Sequence, residues 1–464
     1  IVLLSITEDE EPGSIRRASG IFKWLKDAGL DFDLIIIGEY PNEYANRLKR
    51  SIEDSVTDLE CTLLNAYDLS KAERDFLRCA SALCFDGCAE VIEFCGGEDR
   101  NNALTKTLGI AALPDMASKP CRTEELLFFN GHGGFNKAGE YVVRISMGNN
   151  TPLPWSNVIA SESIGTLVTE SGGGYTFAEN ARLGRITPWS NDAVSDASGE
   201  RIFVLSDGKK LEIKRAEGRT VIHGFGYSSY KVQSDELSFC LTETVDGNRP
   251  IKYYCLSIEN PGSERKIDIL LSFDFQIGPD WRIDGKLTKR HQWGISIQNL
   301  FDGSDDSGKA AFLALRSGGE LTDCSRNEIM VCAEIKNGKS ELIFLLGMDY
   351  PCMLDTLIDE ADYYAALRWH SEFTKEKLEV ITVKTDCPEF DIIVNKRLLY
   401  QVYASRLIGR TGFYQSGGAF GFRDQLQDVL ALLVTDPECS RSHIMKCASM
   451  QFEHGDVLHW WHEV

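Results

Sequence analysis

The sequence predicts a multidomain α+β protein, in which an N-terminal α/β unit, a large antiparallel β-sandwich and a helical region follow one another along the chain. Three observations predict this order. Strand-like and helix-like runs alternate over the first 60 residues, short β runs separated by turn residues fill positions 126–348, and helical spacing of apolar residues begins after Pro351. The length of 464 residues agrees with several domains, because it exceeds what one hydrophobic core normally organises.

The predicted α/β unit covers residues 1–120. The apolar runs Ile1–Ile6 and Asp33–Gly38 are typical of buried strands, and apolar residues recur at helical spacing over Ser14–Leu30 and Asn42–Leu59. Strands and helices in alternation indicate a small parallel sheet. Because the unit contains neither a GxGxxG nor a Walker sequence, we interpret it as a structural or appended domain and not as a nucleotide site.

The predicted β-sandwich covers residues 121–350. Its strand candidates are short runs bounded by Gly, Asn, Asp and Pro: Tyr141–Ser146, Arg201–Leu205, Lys210–Ile213, Ile251–Ile258, Ile267–Phe275, Trp293–Gln298, Glu328–Ile335 and Glu341–Leu346. A long tract of such runs, with turn residues throughout, is typical of a large sandwich and not of a helical domain.

The predicted helical region consists of a linker, residues 351–390, and a second part, residues 391–464. Helical spacing marks Leu354–Leu378, Asp391–Leu407, Arg423–Leu433 and Arg441–Phe452. Between the first two helices, Leu378–Val383 has the pattern of a short strand. Helices joined by Gly-rich or Trp-rich loops are typical of an α-solenoid or of an α/α barrel.

Charge and cysteine content exclude several classes of function. The net charge of −21 opposes binding to nucleic acid and to anionic membranes, although a few arginines and backbone N–H groups can still hold one phosphate locally. The 14 cysteines include no CxxC pair, and in a chain of this size they indicate reduced thiols and not a disulfide framework. No run is apolar for long enough to cross a bilayer. Because the chain opens with Ile1 and ends after a Trp-rich loop, we expect it to be a piece of a longer protein.

Three clusters between residues 155 and 192 have the composition of a sugar site: Trp155–Ala160, Glu170–Thr176 and Thr187–Asp192. Aromatic faces cover the apolar face of a pyranose, while carboxylates and amides bind its hydroxyls. The clusters are equally compatible with buried tryptophan anchors beside capped turns. From this group we take Trp155 as the candidate for sugar binding. The stretch Phe128–Phe135 lacks P-loop spacing, so we interpret its glycines as strand and turn residues.

A glycine-rich stretch, Tyr414–Asp428, leads into a helix that opens with Arg423 and Asp424. A carboxylate in the first helical turn is favoured by the helix dipole, so capping is one role for Asp424. The alternative is a bidentate grip on sugar hydroxyls, oriented by the adjacent arginine. Gln415, in the same stretch, is a further candidate for substrate binding.

The last candidate cluster is His454–His462. His459 and His462 could ligate a metal, but no third ligand is evident beyond His454 or Asp456 and the HExxH pattern is missing, so we predict no metal site. The paired Trp460 and Trp461 are better interpreted as a stacking platform for a sugar.

These motifs together resemble those of glycoside hydrolase family 94, the group of inverting phosphorylases and cyclic β-1,2-glucan synthases. The similar stretches are WSNVIA, ESGGGYTFAENARLGRITPWSNDAVSD, SGGAFGFRDQLQDVLAL and the loop ending in HWWH. The resemblance runs from about Phe128 to the end of the chain. It implies a β-sandwich, a helical linker and the start of an (α/α)6 barrel, while the N-terminal α/β unit is similar to the region that precedes this module in the β-1,2-glucan members.

Residue by residue, the resemblance implies that Arg423 and Asp424 hold the donor glucosyl unit. Some members carry an additional arginine at the position of Gly418, so its absence points to the β-1,2-glucan branch. The general acid of the family lies in a Trp-Asn-Asp motif that does not occur in this chain. The family's phosphate-binding His and Thr also lie beyond Val464, so no catalytic residue is assigned here.

The resemblance implies phosphorolysis of β-1,2-linked glucooligosaccharides with inversion, which releases α-D-glucose 1-phosphate. Inorganic phosphate is then a co-substrate, no cofactor is required, and we expect a cytoplasmic location and, from the family, a homodimer. Other interpretations stay open: the phosphorylase-like module of a cyclic β-1,2-glucan synthase, a cellobiose or cellodextrin phosphorylase, and a non-catalytic carbohydrate-binding fragment.

Overall fold

The computed structural model describes residues 2–7, 12–27, 33–39, 47–56, 59, 61–81, 83–88, 91, 125–146, 150–196, 198–206, 209–234, 236–279, 286–299 and 308–462. The chain forms two compact units, residues 1–112 and 113–464. The predicted domain boundary at residue 120 lies outside the described residues and stays a prediction.

The first unit is an α/β sheet. Its elements are β1 (Val2–Ile6), α1 (Pro12–Asp27), β2 (Leu34–Gly38), α2 (Arg47–Ser55), β3 (Thr62–Asn65), α3 (Lys71–Ala80) and β4 (Leu83–Asp86). The strands are parallel, in the order β3-β2-β1-β4, and Leu4, Phe22 and Ile36 are at most 2% exposed in the core beneath α1. The predicted alternation of strand and helix is confirmed. The predicted helix end at Leu30 and helix start at Asn42 lie outside the described residues.

The second unit is built on three antiparallel sheets. Its strands are β5 (Gly133–Phe135), β6 (Tyr141–Arg144), β7 (Ser156–Ala160), β8 (Ile164–Thr169), β9 (Gly174–Ala178), β10 (Glu200–Ser206), β11 (Lys209–Glu212), β12 (Thr220–His223), β13 (Tyr227–Gln233), β14 (Ser238–Val245), β15 (Ile251–Asn260), β16 (Arg265–Phe273), β17 (Lys286–His291), β18 (Gly294–Asn299), β19 (Ala310–Ser317), β20 (Glu320–Cys324), β21 (Glu328–Ile335) and β22 (Gly338–Asp349). Ten of them form one sheet, β17-β18-β19-β22-β15-β14-β13-β12-β6-β5, five form β11-β10-β16-β21-β20, and three form β7-β8-β9.

The main hydrophobic core of this unit draws on both large sheets. Every second residue of β14 and β16 points inward, as strand geometry requires, so that Phe239, Leu241, Ile269 and Leu271 are at most 2% exposed. The predicted large antiparallel β-sandwich is therefore confirmed.

A buried ionic network connects the three sheets. The ammonium group of Lys252 lies 2.6 Å from a carboxylate oxygen of Glu200 and 2.8 Å from one of Glu243, and all three side chains are at most 2% exposed. Thr176 of the small sheet donates a hydrogen bond to Glu200, and Lys214 lies 3.1 Å from Glu243. Burial acts to raise the pKa of Glu200, but the nearby lysines lower it to about 2, so this carboxylate is charged at neutral pH.

Two buried histidines make stability depend on pH. Burial lowers the pKa of His223 to about 4, with a further contribution from Arg397, and burial lowers that of His370 to about 4. An unfolded chain takes up these protons near pH 6.5, so stability is complete above that pH and is lost as the pH falls towards 4.

We therefore expect the free energy of unfolding to fall by about 3 kcal/mol per histidine between pH 6.5 and 4. Urea unfolding at a series of pH values measures this loss. His223→Gln and His370→Gln should each flatten the profile, whereas His454→Gln, at an exposed position, should not. A wild-type profile without a slope over this interval would contradict the prediction.

Helices follow the sandwich, as predicted, but the helix predicted over Asp391–Leu407 is broken at Asn395 and Lys396, whose backbone angles are not helical. The helices are α4 (Leu354–Asp359), α5 (Tyr363–Phe373), α6 (Pro388–Ile392), α7 (Leu398–Gln401), α8 (Phe422–Asp428) and α9 (Pro437–Ala448). Helices α4 and α5 cover the ten-stranded sheet, where Leu354 and Ala366 pack with Tyr253 and Phe312. Tyr400 and Leu432 of the later helical segments pack against Tyr175 and Phe177 of β9, so the small sheet lies between the sandwich and the start of the barrel.

Two predictions about the linker are wrong. The helix predicted over Leu354–Leu378 is interrupted, because Asp362 accepts a hydrogen bond from the Ala365 N–H at 3.0 Å and starts a new helix there. The strand predicted over Leu378–Val383 does not form. Instead, the side-chain amide of Asn395 bonds both the N–H and the carbonyl of Val383, each at 2.8 Å, which replaces a neighbouring strand.

Candidate functional site

The glycine loop, residues 412–421, lies at the N-terminus of α8. It opens with a tight turn in which the Gly412 N–H donates to the Gln415 carbonyl at 2.8 Å, and the Gln415 side chain is exposed at this turn. The loop ends in a short strand, Phe420–Gly421, that pairs with Trp460–Trp461. The Phe422 N–H donates to the His459 carbonyl at 3.1 Å. Two motifs that are forty residues apart in sequence thus form one structure.

Arg423 and Asp424 occupy the first turn of α8, as predicted. Their side chains are 88% and 55% exposed, and an arginine nitrogen lies 3.3 Å from an Asp424 oxygen. Asp424 does not cap the helix, since the N–H of the capping residue Gly421 donates to the side chain of Gln425. The carboxylate of Asp424 is therefore open to a ligand. This favours the binding of sugar hydroxyls over helix capping as its role.

The two tryptophans differ in position. Successive residues of a strand point to opposite sides, and accordingly Trp461 is 7% exposed while Trp460 is 52% exposed. Trp461 stacks on Phe420 with ring centroids 5.7 Å apart and belongs to a small hydrophobic cluster. Trp460 meets His462 edge-on at 5.5 Å and leaves much of its ring accessible. Of the two tryptophans, Trp460 is therefore the one with an accessible ring, and its predicted stacking on a sugar stays a prediction.

We expect Trp460→Ala to weaken oligosaccharide binding about fivefold, because aromatic stacking on an apolar face contributes about 1 kcal/mol. Titration calorimetry measures the affinity, and the thermal midpoint should not move. Trp460→Phe keeps an aromatic face and should retain most of the binding. Equal affinities for the wild type and Trp460→Ala would contradict the stacking role.

The stretch Tyr175–Trp189 of the sandwich holds the glycine loop and the residues before it. The Tyr175 hydroxyl lies 2.5 Å from the Thr411 hydroxyl, and the Trp189 indole N–H donates to the Phe413 carbonyl at 2.9 Å. Arg185 donates to the Ser416 hydroxyl. Trp189 thus serves as an anchor, which is the alternative that the sequence left open for these clusters.

Trp155 lies elsewhere. It packs against the sandwich core with its ring edge-on to Tyr141, at 5.7 Å, and to His132, at 6.0 Å. Its backbone N–H donates to the buried carboxylate of Glu170. The structure thus gives Trp155 partners within the sandwich, whereas Arg423, Asp424, Gln415, Trp460 and Trp461 belong to the glycine loop and its neighbours.

Sequence reasoning missed Asn180 and Arg410. Asn180, in the loop after β9, donates to the Gly418 carbonyl at 2.9 Å and lies 3.3 Å from a ring nitrogen of His462. Arg410 donates to the same carbonyl at 3.0 Å and lies 4.2 Å from the centre of the Phe420 ring. Burial, with Arg182 and Arg410 nearby, lowers the pKa of His462. No local sequence pattern marks the contacts of these residues with the Gly418 carbonyl, because Asn180 reaches it across 238 positions and Arg410 reaches it across an irregular loop.

A cleft of about 1320 Å³ extends from the glycine loop between sandwich and helices. Its polar and aromatic lining includes Glu162, Glu179, Asn180, Lys309, Tyr350, Lys377, Tyr403, Arg410, Phe420, Asp436, Glu438, His443 and Lys446. Within it, Asp436 accepts hydrogen bonds from Lys377 at 2.6 Å and Tyr403 at 2.9 Å. Burial acts to raise the pKa of Asp436, but these bonds and that of the Cys439 N–H lower it. The sequence Asp436-Pro437 is a helix-start pattern that could have located this residue.

Among the described residues, no three His, Cys, Asp or Glu side chains are grouped to hold a metal ion. His454 and Asp456 instead lie in a turn closed by the Phe452 N–H and the Asp456 carbonyl at 2.8 Å. Within the same described ranges, no helix has both the length and the hydropathy needed to cross a bilayer.

Two family models match this chain. Residues 139–289 match "Glycosyl hydrolase 94, supersandwich domain", and residues 373–464 match "Glycosyl hydrolase 94 superfamily, catalytic domain". The two segments together include more than half of the chain, and the second contains the glycine loop, Asp424 and Trp460.

Curated relatives agree with these matches. The chain is 28% identical to the cyclic beta-(1,2)-glucan synthase NdvB of Rhizobium meliloti (strain 1021), over 99% of this chain and 19% of the relative. It is 20% identical to an N,N'-diacetylchitobiose phosphorylase of Vibrio proteolyticus, over 70% of this chain and 47% of the relative. The chain thus spans about a fifth of the length of the glucan synthase and about half of the length of the phosphorylase. Among solved structures, a bacterial glucoamylase complexed with acarbose shows 12% identity over 69% of this chain and 55% of that one, at a TM-score of 0.42.

Proposed function

Because the chain belongs to glycoside hydrolase family 94, we propose that it is part of an inverting phosphorylase that acts on β-1,2-linked glucooligosaccharides and releases α-D-glucose 1-phosphate. One observation carries the proposal: strand pairing places the exposed Trp460 opposite Gly421, two residues before the exposed pair Arg423 and Asp424. A carboxylate and a guanidinium can bind the hydroxyls of a glucosyl unit, and an aromatic face can cover its apolar side.

In the proposed reaction, a phosphate oxygen attacks the anomeric carbon from the face opposite the glycosidic oxygen. The new C–O bond forms as the glycosidic bond breaks, and an acid protonates the departing sugar. Phosphate is already an anionic nucleophile, so no base is needed to activate water. Asp424 and Arg423 would hold the ring hydroxyls while positive charge develops on the sugar. No residue of this chain is assigned as the acid, and no cofactor is invoked.

The β-1,2 linkage is the finer part of the proposal. It is supported by the name of the glucan synthase relative, whose similarity extends over 99% of this chain, and by glycine at position 418. The phosphorylase relative supports the reaction class.

We further propose a cytoplasmic location, since unpaired thiols such as Cys255, Cys324 and Cys447 suit a reducing compartment. We also propose a homodimer, which rests on the family alone.

A second candidate is the phosphorylase-like module of a cyclic β-1,2-glucan synthase. The observation that favours it is the extent of the match, which includes the N-terminal α/β unit as well as the two family segments. In that setting the same site would trim or control the length of the glucan chain.

Phosphate release tests the proposal. The full-length protein is incubated with α-D-glucose 1-phosphate and, separately, glucose, cellobiose, sophorose and laminaribiose. Release with sophorose alone is the expected result. Release mainly with glucose or cellobiose would show that glycine at 418 does not report the linkage. A folded protein that releases no phosphate with any acceptor would favour the synthase module or a binding role.

A further inference from the structure

Asn180 uses its whole side-chain amide to connect segments that are distant in sequence. The amide oxygen accepts hydrogen bonds from the Arg182 and Leu183 N–H groups, each at 3.0 Å, which closes a turn within the sandwich. Both lone pairs of this oxygen are thereby used. The amide nitrogen donates to the Gly418 carbonyl at 2.9 Å and lies 3.3 Å from the Nδ1 atom of His462. One side chain of the sandwich therefore contacts the glycine loop and the loop that carries Trp460.

This arrangement leaves no room for a side chain at position 418. The φ of +62° at Gly418 is a conformation that side chains disfavour. A Cβ atom at this position would lie 2.3 Å from the Asn180 amide oxygen and 2.9 Å from its Cγ atom. The second contact is also far shorter than a van der Waals contact. A side chain at 418 and the asparagine at 180 therefore compete for the same space.

Arg410 holds the loop from the helical side. Its guanidinium donates to the carbonyls of Gly418 at 3.0 Å, Leu407 at 3.2 Å and Ile408 at 3.0 Å. The Gly418 N–H in turn donates to the Arg410 carbonyl at 3.1 Å. The Gly418 carbonyl thus receives one donor from the sandwich and one from the helical region, so its position depends on both.

We propose that Asn180 is a positioning residue for the donor site, and that Asn180 and Gly418 form a coupled pair through which the sandwich sets the position of Arg423 and Asp424. Only four residues separate Gly418 from Arg423, and small displacements of groups that hold a substrate lower rates steeply. The kinetic part of this inference rests on the proposed function, whereas the coupling itself concerns the loop alone.

The sharpest variant is Asn180→Asp. It keeps the oxygen that closes the turn with Arg182 and Leu183 but removes the donor to Gly418. In the full-length protein we expect amide hydrogen exchange over residues 416–424 to become at least tenfold faster and kcat to fall about tenfold, with little change in KM or thermal midpoint. Asn130→Asp is the matched control, because Asn130 accepts from the His132 and Gly133 N–H groups in the same way and donates to Tyr141. It should alter neither the exchange over 416–424 nor kcat.

A double-mutant cycle tests the coupling. Gly418→Ala in the wild-type background should accelerate loop exchange and lower kcat at least threefold more than the same change made in Asn180→Ala. There the overlap with the asparagine side chain is relieved, and only the φ preference and the 3.0 Å approach to the Ala181 backbone nitrogen remain. Additive effects, or an Asn180→Asp protein that exchanges like Asn130→Asp, would overturn the proposal. If the wild type releases no phosphate from α-D-glucose 1-phosphate with any acceptor, the proposed function fails, and the exchange data still decide whether Asn180 positions the loop.

Discussion

Replacing Asp424 by alanine in the full-length protein is expected to lower kcat/KM for phosphorolysis by about a hundredfold to ten-thousandfold. A carboxylate that accepts two sugar hydroxyls forms two charge-assisted hydrogen bonds, each contributing about 1.5–3 kcal/mol. Loss of both amounts to about 3–6 kcal/mol of transition-state stabilisation, and each 1.36 kcal/mol is about a factor of ten. Because Asp424 is half exposed and does not cap its helix, the loss should appear in activity and not in stability.

Initial rates of phosphate release at several oligosaccharide concentrations give the ratio kcat/KM. Asp428→Asn is the matched control, since this residue lies one turn further along α8 and pairs with Arg406 at 2.8 Å. That variant should stay within about twofold of the wild type, because the asparagine amide oxygen can still accept the hydrogen bond from Arg406. An Asp424→Ala protein that retains more than a third of the wild-type activity would remove Asp424 from the donor site.

Replacing Lys252 by methionine is expected to destabilise the sandwich by about 3–5 kcal/mol. The substitution keeps the length of the side chain but leaves Glu200 and Glu243 charged, buried and without the cation that lies between them. The same network also draws in Thr176, so all three sheets should be affected together.

Urea unfolding of the chain, followed by near-ultraviolet circular dichroism, measures this loss. Lys266→Met serves as the control, because Lys266 pairs with Glu334 at 3.3 Å with both side chains more than half exposed. It should change the free energy of unfolding by less than about 1 kcal/mol. Replacing Lys252 and Glu200 together with apolar residues should recover much of the loss, since Glu243 then keeps Lys214 as its buried cation and no unpaired carboxylate remains. Equal effects of Lys252→Met and Lys266→Met would show that the buried network does not stabilise the sandwich.

Local sequence patterns were sufficient to predict the order of sheets and helices along the chain. Apolar runs mark strands such as β15 and β16, and helical spacing marks α1 and the segments after Pro351, because these periods arise from local backbone geometry. The family motifs likewise made Arg423, Asp424 and Trp460 candidates for sugar binding without any knowledge of their surroundings, and that role stays a prediction. The pairing of charged residues deep in the core could not be predicted, since Lys252 lies in an otherwise ordinary strand run.

The contacts between distant residues, in contrast, became evident from the folded structure. It separated Trp460 from Trp461, gave Trp155 partners within the sandwich, and joined Asn180 to Gly418 across 238 positions of sequence. The strand predicted over Leu378–Val383 is likewise absent, because the side chain of Asn395 binds the backbone of Val383. The physical reason is the same in each case. Local periodicity states which side of an element a residue faces, whereas its partners depend on how sheets and helices pack, and on which donors and acceptors the buried backbone still requires.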